Sequence, residues 1–107
     1  MTFVTVYMTC KDEKEAEKIV KVLVEKRLAG CVNIVPSIKS IYWWNGKITK
    51  DNESLLLAKA PARNKKKIIE TVKKNHSYTT PCINFLPVEI GNPDFRKWLE
   101  NETKNRN

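Results

Sequence analysis

The stretch Tyr42-Trp43-Trp44-Asn45-Gly46-Lys47-Ile48 decides the fold of this chain. Asn-Gly is the strongest short hairpin signal, because both central positions of a type I′ turn need positive φ. The aromatic residues before it and Ile48 after it favour extended backbone. The turn therefore makes an antiparallel pair of residues 31–44, CVNIVPSIKSIYWW, and the returning segments KITK and ESLLLAKA, residues 47–50 and 53–60. Pro36 should mark a bulge or an edge in the first of these, since it cannot donate to a ladder.

Toward the N-terminus, FVTVYMT reads as a strand. Asp12 followed by Glu15 is a capping-box signature, and Ala16, Ile19, Val20 and Leu23 recur at helical spacing until Gly30 is expected to close the helix. Toward the C-terminus, Pro61 precedes a second helix with Ile68, Ile69 and Val72 on one stripe. Extending that stripe puts His76 on the apolar side, facing the sheet. Pro81 is expected to start a fourth strand, PCINFLPVEI, and Asn92 and Pro93 open a last helix with Phe95, Trp98 and Leu99 on one face. The order β-α-β-β-α-β with an extra C-terminal helix is the α+β ferredoxin-like split β-α-β arrangement.

At 107 residues the chain suits a single domain over residues 1–107, and its 41% hydrophobic and 30% charged residues are those of a soluble globular protein. MTFVTVYMTCK has neither a basic leader nor a long apolar run, so no membrane association is expected and the expected compartment is the cytoplasm. Cys10, Cys31 and Cys82 are an odd set without CxxC spacing, which argues against a disulfide framework and a zinc knuckle. Most of the net charge of +8 comes from RNKKKIIETVKKN, with six bases against one acid.

Function has to come from particular residues, because this architecture hosts many activities. No Ser/His/Asp set and no P-loop are visible, so an enzyme is not expected. Nucleic acid is not expected either: Lys66, Lys67, Lys73 and Lys74 form a basic face, but the paired aromatic strand motifs of a ferredoxin-like RNA binder are missing. His76 reads either as a metal anchor or as a core histidine bonded across the sheet. Tyr42, Trp43 and Trp44 suit stacking on a ligand or packing at a subunit interface. Lys59, closing the run SLLLAK, needs a partner in an apolar strand, such as a small anion or Glu53 of a neighbouring copy.

The segments RLAGCVNI, SIYWWNGKI, ESLLLAKA, HSYTTP and FRKWLENE resemble, in order and spacing, the CutA family of divalent-cation tolerance proteins. The resemblance implies a cytosolic homotrimer of ferredoxin-like subunits whose long hairpins pair between neighbours. It implies no catalytic activity and no required cofactor, but tolerance and binding of copper or another divalent metal ion. Cys31, Trp44, Glu53, Lys59, His76 and Tyr78 fit the family pattern. Ser77, Thr79 and Cys82 depart from it, standing where many relatives carry proline and two glutamates. With those carboxylates gone, His76, Cys82 and Cys31 are the expected inner metal ligands, a set suited to the softer cuprous ion. Met8 or Cys10 stands where some relatives carry a cysteine, and Asn75-His76 where they carry paired histidines. Lys59, Tyr78, Trp44 and Glu53 are the expected cleft residues. The alternative reading is a trimeric regulatory module that takes a small anion or nucleotide in the clefts between subunits.

Overall fold

A computed structural model describes residues 2–105. Its elements are β1 (Phe3–Cys10), α1 (Glu13–Glu25), β2 (Cys31–Trp44), β3 (Lys47–Pro61), a short 3-10 turn (Ala62–Asn64), α2 (Lys65–Asn75), β4 (Ile83–Val88) and α3 (Pro93–Glu102). The four strands form one sheet in the order β2-β3-β1-β4, with every neighbouring pair antiparallel. Each β-α-β unit is thus split by a strand of the other, the ferredoxin-like topology that the hairpin and the alternating elements call for.

Alternation along the strands sorts the two faces. Val4, Val6, Met8 and Cys10 of β1 and Leu56, Ala58 and Ala60 of β3 point to one side, where they bury Ala16, Ile19 and Leu23 of α1 and Ile68 and Val72 of α2. Met8, Ile19, Leu23, Leu56 and Ile68 are under 2% exposed. Each contributes about 1.5–3 kcal/mol by leaving water, so this face carries most of the driving force for folding. The lysines of α2 at 66, 67, 73 and 74 are exposed.

The local signals of the sequence take the expected form at the hairpin and at the start of α1. Asn45 and Gly46 have φ of 49° and 75°, as a type I′ turn requires. The β2–β3 register shifts between Val35 and Ile38, and the Pro36 carbonyl freed there accepts Ser54 Oγ at 2.7 Å. Asp12 caps α1 by accepting the Glu15 N–H at 2.8 Å.

Three expectations change. Gly30 does not close α1: the left-handed position is Arg27, at φ 58°, and the Leu28 N–H returns to the Leu23 carbonyl at 3.0 Å as in a Schellman cap. Gly30 is needed for contact instead, because a Cβ there would lie 2.5 Å from Leu99 Cδ1 of α3. Arg27 ties down the same helix through Nη1, at 3.0 Å from the Glu102 carbonyl and 3.1 Å from its Oε2. Pro81 does not start β4, which begins at Ile83, where pairing with β1 opens at Met8↔Ile83; Pro81 and Cys82 stay in the segment that leads into it. His76 stands one residue past α2 in extended backbone, at φ −101° and ψ 140°, although its ring still turns inward.

Candidate functional site

β1 pairs with β3 only from Phe3↔Pro61 to Cys10↔Ser54, so the β2–β3 hairpin runs on past the rest of the sheet. Where it leaves the sheet, the segment between α2 and β4 folds against it, and a groove of about 690 Å³ opens between the two. Asp51 and Glu53 form its floor. They lie two positions apart on β3, hence on one face, opposite Ser40 and Ile38. Tyr42 and Trp44 continue the Ser40 face of β2, and Tyr78 and Cys82 come from the facing segment.

Each carboxylate holds a tyrosine. Tyr42 donates its hydroxyl to Asp51 Oδ2 at 2.6 Å, and Tyr78 donates to Glu53 Oε2 at 2.8 Å. The Tyr42 hydroxyl is held above the usual phenol range chiefly by its bond to Asp51. Tyr78 is pushed up further, by burial first and then by the bond to Glu53. Both phenols therefore remain donors throughout the neutral range. Glu53 is 8% exposed, so the Tyr78 hydroxyl supplies the partner that a buried carboxylate needs.

His76 positions Tyr78. Its imidazole is 1% exposed, and Nδ1 is 3.0 Å from the Tyr78 amide nitrogen, whose N–H can only donate. Nδ1 is thus the acceptor, and the proton on Nε2 goes to the Thr9 carbonyl at 2.8 Å. Glu15 Oε1 lies 3.7 Å from Nδ1, but this is no ion pair while Nδ1 accepts a hydrogen bond. Glu15 instead takes the Ser77 N–H at 3.0 Å and the Lys11 N–H at 3.3 Å. In a capping box this glutamate would reach back to the cap residue; here it joins the start of α1 to the groove segment.

The expected metal set of His76, Cys82 and Cys31 does not converge. Cys31 sits on β2 opposite Lys59, whereas Cys82 precedes β4 on the far edge of the sheet. Three strand spacings, at least about 14 Å, separate those edges. The His76 ring has no free lone pair in the tautomer its bonds impose. Among the described residues no three His, Cys, Asp or Glu side chains group to hold a metal ion. Cys82 is exposed, lines the groove and accepts Asn84 Nδ2 at 3.2 Å. Cys10 is buried against the Asp12 and Ser54 carbonyls, its thiol pushed up to about 11 by burial first and by Glu15 second. Met8 belongs to the core.

Of the expected cleft residues, Trp44, Glu53 and Tyr78 line the groove together, and Lys59 does not. Lys59 donates to Asn33 Oδ1 on the adjacent strand, a partner within the chain that the apolar run concealed. Asp51 was not singled out from the sequence. Counting alternation back from the Asn45-Gly46 turn places it beside Glu53, so the signal was present. Lining side chains include two carboxylates and no base, in a chain of net charge +8.

Residues 4–102 match the model of a family described as CutA1 divalent ion tolerance protein. A divalent-cation tolerance protein CutA of Thermus thermophilus is 46% identical, over 92% of this chain and 95% of its own length. One from Archaeoglobus fulgidus is 44% identical, over 89% and 92%. The chain covers only 57% of a chloroplastic CutA protein of Oryza sativa. The crystal structure of CutA1 from Oryza sativa superposes with a TM-score of 0.94 at 36% identity, covering 97% of this chain and 95% of that one.

Proposed function

The chain belongs to the CutA1 divalent ion tolerance protein family, and on that premise we propose that it is a cation-binding homotrimer without enzymatic activity, which serves tolerance to copper and other divalent ions through the groove under its hairpin. The charge of that groove carries the reading: Asp51 and Glu53 face it with no lysine or arginine among its lining residues, so it attracts cations and repels the anions that a nucleotide site would take. Cys82 adds a soft donor at the same groove, which favours copper over harder ions.

The trimer is supported by apolar surface that one copy leaves open. Trp43 is 71% and Ile48 62% exposed on the projecting hairpin, and Leu86 is 48% exposed on the sheet face opposite α1 and α2. Such surface marks an interaction site. No described helix is long and apolar enough to cross a membrane. The cytoplasm suits its three free thiols, although a relative from Archaeoglobus fulgidus is described as periplasmic.

Calorimetric titration of cupric and zinc ions into wild type and Asp51→Asn, with light scattering in parallel, tests the reading. It expects a trimer and cation binding that weakens in the variant. A monomer, or binding indifferent to Asp51, defeats it.

A further inference from the structure

We infer that Tyr78 is a proton-operated gate on the groove: mild acid charges His76, the imidazolium turns from the Tyr78 amide to Glu15, and Tyr78 comes off Glu53. The gate does not depend on what the groove holds. Histidine is the side chain that changes charge between about pH 5 and 8. The neutral ring has one lone pair, on Nδ1, and with it accepts the Tyr78 N–H at 3.0 Å. A proton from solvent can enter only there, because Nε2 already carries one and donates it to the Thr9 carbonyl at 2.8 Å. Two N–H groups then face each other at hydrogen-bond distance, and they must part.

The surroundings favour keeping the proton and moving the tyrosine. From α1, Glu15 Oε1 stands 3.7 Å from Nδ1, with the imidazole 1% and the carboxylate 7% exposed, so a small shift turns a neutral contact into a buried ion pair. His76 also follows the last turn of α2, where the helix dipole favours a cation. From β1 it faces the Thr9 carbonyl and, beyond Glu15, the Cys10 thiol, which keeps its proton in this range. β3 presents Glu53 through Tyr78, and Lys73 and Lys74 of α2 are exposed. Tyr78, by contrast, leans on the neutral ring through its amide and through ring packing with centroids 4.8 Å apart. The Ser77 N–H on Glu15 Oε2, at 3.0 Å, is untouched by the proton and fixes the hinge. Tyr78, Thr79 and Thr80 lie outside any helix or strand and line the groove, so they move as its wall. Once the phenol has left, Glu53 is open to the groove.

Nuclear magnetic resonance on the intact protein from pH 8 to 5 tests this. The ring nitrogen shifts of His76 read its charge, and amide exchange, corrected for its intrinsic pH dependence, reads each backbone N–H. As the ring charges, protection of the Tyr78 amide should fall about tenfold or more, the return on one lost hydrogen bond. Protection of Ser77, and of a core amide such as that of Leu23, should be kept. His76→Gln, which offers an acceptor and a donor but does not titrate, should hold Tyr78 protected across the range. A charged ring with Tyr78 still protected, or a ring that stays neutral to pH 5, overturns the gate. So does loss of Ser77 and Leu23 protection together with that of Tyr78, which is unfolding. An acid transition that persists in His76→Gln also overturns it, assigning the opening to the carboxylates. Should His76→Gln not fold, ring charge set against Tyr78 and Ser77 protection in wild type decides by itself.

Discussion

Nδ1 of His76 accepts the backbone N–H of Tyr78 at 3.0 Å, and Nε2 of the same ring donates to the Thr9 carbonyl at 2.8 Å. The only imidazole of the chain is therefore engaged at both nitrogens with backbone groups. It carries the orientation of Tyr78, and through it Glu53, rather than a metal ion.

His76→Ala should accordingly lower stability by about 2–4 kcal/mol, the sum of a cavity and two unpaired backbone groups, while cupric affinity changes little. Urea unfolding beside a copper titration checks both halves. A variant as stable as wild type that no longer binds copper would restore His76 to the ligand set.

Stability should fall at alkaline pH, beginning at Cys10. Its thiol is raised from 9.0 to about 11, by burial first and by Glu15 second. Below pH 9 both folded and unfolded chains hold the proton, and nothing is lost. Between pH 9 and 11 the unfolded thiol ionises while the folded one does not, so the unfolded state gains, by an order of 2 kcal/mol at the top of that window. The raised Tyr78 hydroxyl acts in the same direction at higher pH. Denaturation followed from pH 8 to 11 in wild type and Cys10→Ala should show a flatter decline in the variant; parallel curves would assign the loss elsewhere.

Alanine at Gly46 and at Gly30 should both destabilise, for different reasons. At Gly46 a Cβ meets nothing within 4 Å, but φ is +75°, so the cost is the left-handed backbone alone, about 1–2 kcal/mol. At Gly30 the added Cβ lies 2.5 Å from Leu99 Cδ1 and 3.6 Å from Trp98 Cζ3. Leu99 is 1% exposed, so its side chain must repack within the core or α3 must shift, at about 1–3 kcal/mol. Tryptophan fluorescence should report a change around Trp98 in Gly30→Ala, and none there in Gly46→Ala.

The cysteines should separate by position. Iodoacetamide should label exposed Cys82 first and reach buried Cys10 only after unfolding. Cys82→Ser should weaken copper binding in the groove, and Cys31→Ser should leave it unchanged. Equal losses in the two would mean that the edges of the sheet are brought together by another copy of the chain.

The sequence alone determined the features whose physics is local. The Asn45-Gly46 turn needs only two residues able to adopt positive φ, the Asp12 cap needs one amide three positions on, and strand alternation repeats every second residue. Those suffice for the element order and for a split β-α-β fold. The role of Gly30 was misread, because a glycine after a helix suits a cap as well as a close approach, and only the arrival of Leu99 from 69 positions away distinguishes them. Arg27 takes the left-handed position against the glycine preference, and its guanidinium reaches Glu102 from there. The site was decided at still longer range. That Cys31 and Cys82 cannot meet follows from the order β2-β3-β1-β4, which puts them on opposite edges. That His76 faces two backbone groups follows from where β1 ends relative to α2. Hydrogen bonds and metal ligation need atoms placed to within a few tenths of an ångström, and across 67 residues, as between Thr9 and His76, that placement comes from the packing of the whole sheet.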